Sequence, residues 1–311
     1  MDNKLHQEAV KDATRAKFRG KRKIRSRYIP LYPDSSEREM RRIANGYMKI
    51  VTAGVKEVLP DVIKVYEQEV RNDSRMDGIR DLRSAIRNGF SKARESIAQK
   101  LEDYGLEEKL ARTAVTVKNT ALNEWKKTVK KTLNVTLLDD YYRDELYRKA
   151  IDDWIKGGSD AMHVIPTDLL DKIQQIIENG YSAGKPVSEI KKEVQHAYSV
   201  KRREVVDGAA GSVSTLNYEC TRVNQEDAGV REYMWYTRRD ARVRACHASF
   251  DGKFFRWDGP PEIWYETKHG GKIWTGRYCH PGEDYNCRCR AVPRFDIQTL
   301  NLPIAGGQEG G

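Results

Sequence analysis

Between residues 36 and 227, apolar side chains recur at intervals of three and four almost without a break. Met40, Ile43, Tyr47, Ile50, Val51, Gly54, Val55 and Val58 make the first such run. That spacing places them on one face of a 3.6-residue helix and fits no strand period. Ser36 followed by Glu39 has the capping-box spacing for its start. Pro60 is expected to kink or end this helix, with Val62, Ile63, Tyr66 and Val70 continuing the pattern up to a turn at Asn72-Asp73-Ser74. Equivalent runs predict helices over 79–101, 110–133, 142–154, 169–177, 188–198 and 215–227, stopped by Gly105, Gly157-Gly158, Asn179-Gly180 and Gly229. The connections are short, as in antiparallel bundles. Trp125 and Trp154 sit on these stripes and are read as core.

At Gly229 the pattern changes. Aromatic residues, glycine and proline rise, and helical periodicity ends. Residues 232–237 and 253–257 have strand character, and Asp251-Gly252 has turn chemistry. Gly270-Gly271, between Ile263-Trp264-Tyr265 and Ile273-Trp274-Thr275, predicts a hairpin. The fold class is therefore α+β, mainly α. Four segments are expected: a basic extended arm over 1–33, a helical domain over 34–228, a small Cys/His domain over 229–295, and a flexible tail over 296–311.

Special residue types concentrate in 235–293. Four of the five cysteines, three of the six histidines and four of the six tryptophans lie there. A domain this small has little core, and metals often supply the missing stability. Cys287 and Cys289 are two apart, so on an extended strand both thiols face one way while Arg288 and Arg290 face the other.

The order Asp240-x-Arg242-Val243-Arg244, His247, Gly252, Pro281 and Asn286-Cys287-Arg288-Cys289 resembles the pattern of the phage head-morphogenesis family. Those are minor head proteins similar to protein F of bacteriophage Mu. Some members carry a Cys-x-x-Cys pair where this chain has Arg244 and His247. The resemblance covers about sixty residues well and extends faintly upstream through 216–229. It matches His247, Cys287 and Cys289 as a ligand set, and Asp240, Arg242, Gly252 and Asn286 as structural motif positions. Cys279 is the fourth ligand expected, with His280 or Cys246 as substitutes. Zinc accepts such mixed N/S sets, and a closed four-ligand site is structural rather than catalytic. A metal-free core of buried thiols and a disulfide formed late in an extracellular particle stay open as alternatives. Asp240 with Arg242 is read as capping a turn and pairing charge. Cys220 stands apart and is read as a packed core thiol.

The resemblance further implies a virion component of a tailed phage, assembled in the host cytoplasm and sited in the head interior or at the portal vertex. Its partners would be the portal protein, the major capsid or scaffolding protein, and phage DNA. No enzyme activity is expected. The alternative is a metal-dependent hydrolase or nuclease centred on the Cys/His domain, with Glu283-Asp284 near His280 holding a cation. No phosphate-binding loop, nucleophile elbow or zinc-protease motif supports that alternative.

The net charge of +10 is uneven: +7 over residues 1–45, +5 over 230–295, −2 over the last sixteen, and about zero between. Residues 11–27 hold Lys11, Arg15, Lys17, Arg19, Lys21, Arg22, Lys23, Arg25 and Arg27 against Asp12 alone. Sparse in apolar residues, this arm is expected to bury no face of its own and to track a polyphosphate or an acidic partner. Tyr28-Ile29-Pro30-Leu31-Tyr32-Pro33 is expected to be extended and free to lie across a partner. No run of eighteen apolar residues and no apolar leader is present, so no membrane partner is expected and the cysteines are expected to stay reduced.

Overall fold

The computed structural model describes residues 20–71 and 75–304, together with Glu8, Asp12, Lys17 and Phe18. Six long helices follow one another: α1 (Asp34–Arg71), α2 (Arg75–Tyr104), α3 (Leu106–Leu133), α4 (Arg148–His163), α5 (Ile165–Ser182) and α6 (Val187–Asp227). A short helix, α7 (Ala245–Phe250), lies among the strands β2 (Glu232–Tyr236), β3 (Phe254–Arg256), β4 (Glu262–Glu266), β5 (Lys272–Tyr278) and β6 (Arg290–Asp296). One further strand, β1 (Lys23–Arg25), precedes them all. The mainly helical α+β class read from the sequence is the class observed. None of the described helices is long and apolar enough to cross a membrane.

Several helices run past their expected stops. α1 continues through Pro60. A proline there removes one backbone hydrogen bond, at a cost of about 3 kcal/mol. Burial of Val62, Ile63 and Tyr66 beyond it offsets that cost. α4 passes Gly157-Gly158, and α6 joins the two helices expected over 188–198 and 215–227 into one of 41 residues. The capping box does not form either: α1 begins at Asp34, and the Ser36 hydroxyl, inside the first turn, has no partner.

The chain divides into two compact units, and each boundary falls within a helix. One unit comprises 38–112 and 155–210 and is wholly helical. Its core is built from the expected stripes: Val51 and Val55 of α1, Ile86 and Phe90 of α2, Leu170 and Ile173 of α5, Ile190 of α6. Tyrosine hydroxyls tie its helices to one another's backbones, Tyr47 to the Met162 carbonyl at 2.7 Å and Tyr66 to that of Lys185 at 2.7 Å.

The other unit comprises 1–37, 113–154 and 211–311. Its antiparallel sheet has the order β1-β6-β2-β3, with Ile24 opposite Phe295 and Tyr233 opposite Pro293. Gln225 of α6 donates to the Ala291 carbonyl at 2.9 Å, and Trp125 of α3 packs on Phe295. β4 and β5 form the expected hairpin, pairing Trp264 with Trp274.

The outer segments differ from expectation. Ile24, Ser26 and Tyr32 are buried, and Tyr28 and Leu31 both donate to the Glu124 carboxylate, at 2.6 and 2.7 Å. Residues 20–33 are therefore part of the sheet unit, because β6 offers an edge and Glu124 an acceptor that a scan for apolar periodicity cannot register. Residues 296–304 are likewise packed: Ile297, Leu300 and Leu302 are buried, and Ile304 bridges Leu137. Lys11, Arg15 and Arg19, the 72–74 turn and residues 305–311 lie outside the described residues.

Gly229 and Gly252 both adopt left-handed backbone, φ +72° and +80°. A Cβ on Gly229 would sit 2.1 Å from the Thr299 carbonyl oxygen, whereas one on Gly252 would meet nothing within 4 Å. Gly252→Ala is expected to lose only the left-handed cost of roughly 1–2 kcal/mol. Gly229→Ala is expected to lose clearly more, since the clash is with backbone. Urea denaturation of the two variants checks the order.

Candidate metal centre

The side chains of His247, Cys287 and Cys289 converge in the sheet unit, each buried. Two local features bring them together. α7 starts after an extended Arg244 and turns His247 inward. The segment entering β6 reverses at Asn286, whose backbone is left-handed at φ 54°. Asn286 fits only because α6 has Gly211 there, where a Cβ would lie 1.8 Å from the asparagine Oδ1.

His247 Nδ1 lies 3.5 Å from Cys287 Sγ and 3.8 Å from Cys289 Sγ. Zinc–sulfur bonds of about 2.3 Å and zinc–nitrogen bonds of about 2.0–2.1 Å set a tetrahedral N–S edge of roughly 3.6 Å. The backbone N–H groups of Gly282 and Cys289 donate to Cys287 Sγ at 3.4 Å each. Donation from the Cys289 thiol holds Cys287 well below the ordinary thiol range despite burial, and His247 adds to this. Cys289 is pushed up in turn by that same hydrogen bond and by burial. The hydrogen bonds to Cys287 thus favour its anionic form, which is the form a metal takes.

On the far side of the ring, His247 Nε2 lies 3.6 Å from Asp284 Oδ2 and has no hydrogen-bond partner. Asp284 is buried and paired with Arg244 at 3.1 Å and Arg277 at 2.9 Å. A carboxylate behind the second nitrogen of a ligand histidine is the usual means of fixing its tautomer. Two sulfurs and one ring nitrogen at tetrahedral spacing, with a carboxylate behind the ring, supply three of the four donors that a structural zinc takes. In the sequence Asp284 neighbours His280; only the fold brings it to His247.

None of the three residues expected as fourth ligand joins this group. Cys246 Sγ accepts from the Trp264 N–H at 3.4 Å, and Cys279 Sγ faces the Arg277 guanidinium. Burial pushes both thiols up, Cys279 to about 11. His280 stacks on Tyr218 and lies tilted against Trp257, and its Nδ1 meets the Tyr233 hydroxyl at 2.8 Å. These side chains belong to the aromatic core that also holds Trp235 and Phe250. Cys220 is fully buried among the helices. Among the motif positions, Asp240 accepts from the Arg242 N–H at 3.1 Å and from Arg288 at 2.6 Å, closing the turn before α7. The Arg242 side chain itself is exposed.

The expected basic binding residues separate. Arg22 pairs with Asp296 at 2.9 Å, Lys23 with Glu232 at 2.5 Å, and Arg25 reaches Met234. Lys17, Lys21 and Arg27 are exposed.

Residues 171–292, from α5 into β6, match the family described as Phage Mu protein F like protein. The matched stretch, similar to the phage Mu F-like head-morphogenesis domain, contains every residue of the cluster. Over 156 residues the chain is 28% identical to a protein of Haemophilus influenzae (strain ATCC 51907 / DSM 11121 / KW20 / Rd) described as "Uncharacterized protein". The aligned part is 49% of this chain and 32% of that relative, so the chain spans about a third of the relative's length. No solved structure matches the chain.

Burial, and secondarily the nearby Arg222, lowers the His280 imidazole to about 4. Its folded value is below its unfolded one, so the contribution is present above the ordinary imidazole range and is lost as pH falls toward 4. Thermal melts from pH 7 to 4.5 should show a steeper loss for the wild type than for His280→Gln; equal slopes would count against this assignment.

Proposed function

We propose that this protein is a minor head protein of a tailed bacteriophage, taken into the particle during head morphogenesis and seated at the portal vertex or the head interior. The observation that carries the reading is the match of 171–292 to the Mu F-like family, with the motif residues His247, Cys287 and Cys289 gathered at one place in the fold. The helical unit offers surface for the portal and for the major capsid or scaffolding protein. Contact with packaged DNA falls to Lys17, Lys21 and Arg27, since Arg22 and Lys23 are committed to carboxylates within the chain. Quantitative mass spectrometry of purified virions and procapsids from the source phage or induced prophage tests the reading. A low copy number relative to the major capsid protein is expected. Absence from both particles overturns it.

Zinc is proposed as the structural partner of the cluster, held by His247, Cys287 and Cys289 and oriented by Asp284. Bound there, it would cross-link α7 to the segment entering β6. Elemental analysis is expected to find one zinc per chain, lost in Cys287→Ser and Cys289→Ser. Asp284→Asn is expected to weaken zinc binding by roughly 10–100-fold, as loss of a ligand-orienting carboxylate does. A zinc-free wild type overturns the metal and leaves the head reading standing.

The hydrolase alternative requires a substrate to reach these atoms. His247, Asp284, Cys287 and Cys289 are each at most 5% exposed, which favours a structural role. Plasmid cleavage with added zinc, magnesium or manganese, abolished by His247→Ala, would reverse that preference.

A further inference from the structure

Within the helical unit, α1 and α6 frame an open groove of about 1020 Å³. Its apolar lining comes from Met48, Ile63, Val194 and Tyr198, all buried, with Leu59 and Pro60. Its rim is basic. Lys49, Lys56 and Lys64 of α1 lie along one side, and Lys191 and Arg202 of α6 along the other. The spacing keeps each set on one helix face. Glu67 is the one acidic residue lining it, and it lies 4.0 Å from Lys191. The three lysines of α1 are exposed and make no ion pair among the described residues.

This charge is local. Residues 46–229 are close to neutral as a whole. The neighbouring groove between α5 and α6 balances Lys172, Lys192 and Lys201 against Asp168, Glu193 and Glu204. Tyr198 adds a separate observation: more than nine-tenths buried in the lining, it has a hydroxyl with no hydrogen-bond partner.

We infer that this groove docks an acidic amphipathic helix of a partner protein. The lining from Met48 to Glu67 spans about 28 Å of helix, the length of a helix of about 20 residues. An apolar stripe on such a helix would pack on Ala53, Leu59 and Pro60, the apolar lining that is still accessible above the buried Met48, Ile63 and Val194, and flanking carboxylates would meet the two basic rims. A carboxylate or carbonyl on the occupant gives the Tyr198 hydroxyl an acceptor. Nucleic acid fits less well. A duplex would leave the apolar floor uncovered, and a single strand needs a series of stacking rings where this groove has one tyrosine. The inference uses nothing of the metal cluster.

A display library of helical peptides of about 20 residues is selected on the full-length chain and counter-selected on the triple variant Lys49→Glu, Lys56→Glu, Lys64→Glu. Those lysines are exposed, so the variant should keep the wild-type circular dichroism and melting temperature. Enrichment of sequences with apolar residues at i, i+3 or i+4 and i+7, flanked by Asp and Glu, is expected. A synthetic peptide of that class should lose about tenfold or more in affinity on the triple variant. Ala53→Arg, which fills the groove while adding positive charge, should weaken it as well, separating a groove from charge attraction alone. Enrichment of basic or non-helical sequences, no enrichment, or equal binding to the variants overturns the inference. A short DNA duplex that binds the wild type, displaces the peptide and is lost in the triple variant overturns it in favour of a nucleic-acid surface.

Discussion

The pairing of β6 on both of its edges is the constraint on which the sheet unit depends. β1 lies against one edge and β2 against the other. The backbone groups of a central strand have no water to fall back on, so both neighbours must be in place. Gln225 of α6 adds a side-chain bond to the same strand, and Phe295 gives it a ring contact with α3. The thiols of Cys287 and Cys289 enter just ahead of this strand. Their position is set by how β6 is held, and His247 meets them because β2 leads the chain back to α7 on the adjoining side.

The electrostatic design around the cluster follows from its burial. A buried sulfur with a lowered pKa and a buried carboxylate on the two sides of one imidazole each need their own compensation. The sulfur receives two backbone N–H groups, and the carboxylate receives two guanidinium groups. His247 stands between them with one ring nitrogen toward each. Such an arrangement is costly to assemble for packing alone, and a divalent cation would remove much of that cost.

Much of the helical part was legible because burial follows a period that a sequence displays. Val51, Val55, Ile86, Phe90, Leu170 and Ile173 lie on their stripes and in the core. Helix ends were less legible, since Pro60, Gly158 and Gly180 are unfavourable locally, while burial of Val62 and Ile63 beyond the proline and packing of Leu110 and Ile190 against the two glycines carry the helices on. Gly180 makes the point: Ile190 packs where its Cβ would be, so the glycine serves a close approach rather than a stop. At the cluster, the motif picked out His247, Cys287 and Cys289, but Asp284 as partner of the ring required tertiary structure. Cys246, Cys279 and His280 look like ligands by composition and are occupied by Trp264, Arg277 and Tyr233. The N-terminal strand is not legible in the sequence, because three strand residues among charged neighbours leave no measurable period.

The separation of β1 from β6 has a consequence for how the molecule comes into being. Lys23 pairs with Asp296, so the edge strand β1 is made by residues that leave the ribosome early and the central strand it pairs with by residues that leave late. At roughly 5–20 residues per second, the interval between them is about 14–55 s. Stripes of α1, α2 and α5 can find each other within that time, while the first strand has no partner. Completion of the sheet is therefore a closing step of biogenesis, and ribosomes that stall before Arg290 release chains whose helices are sound and in which β1 and one side of β2 lack the strand that pairs with them. Such chains are the form of this protein most open to association with one another.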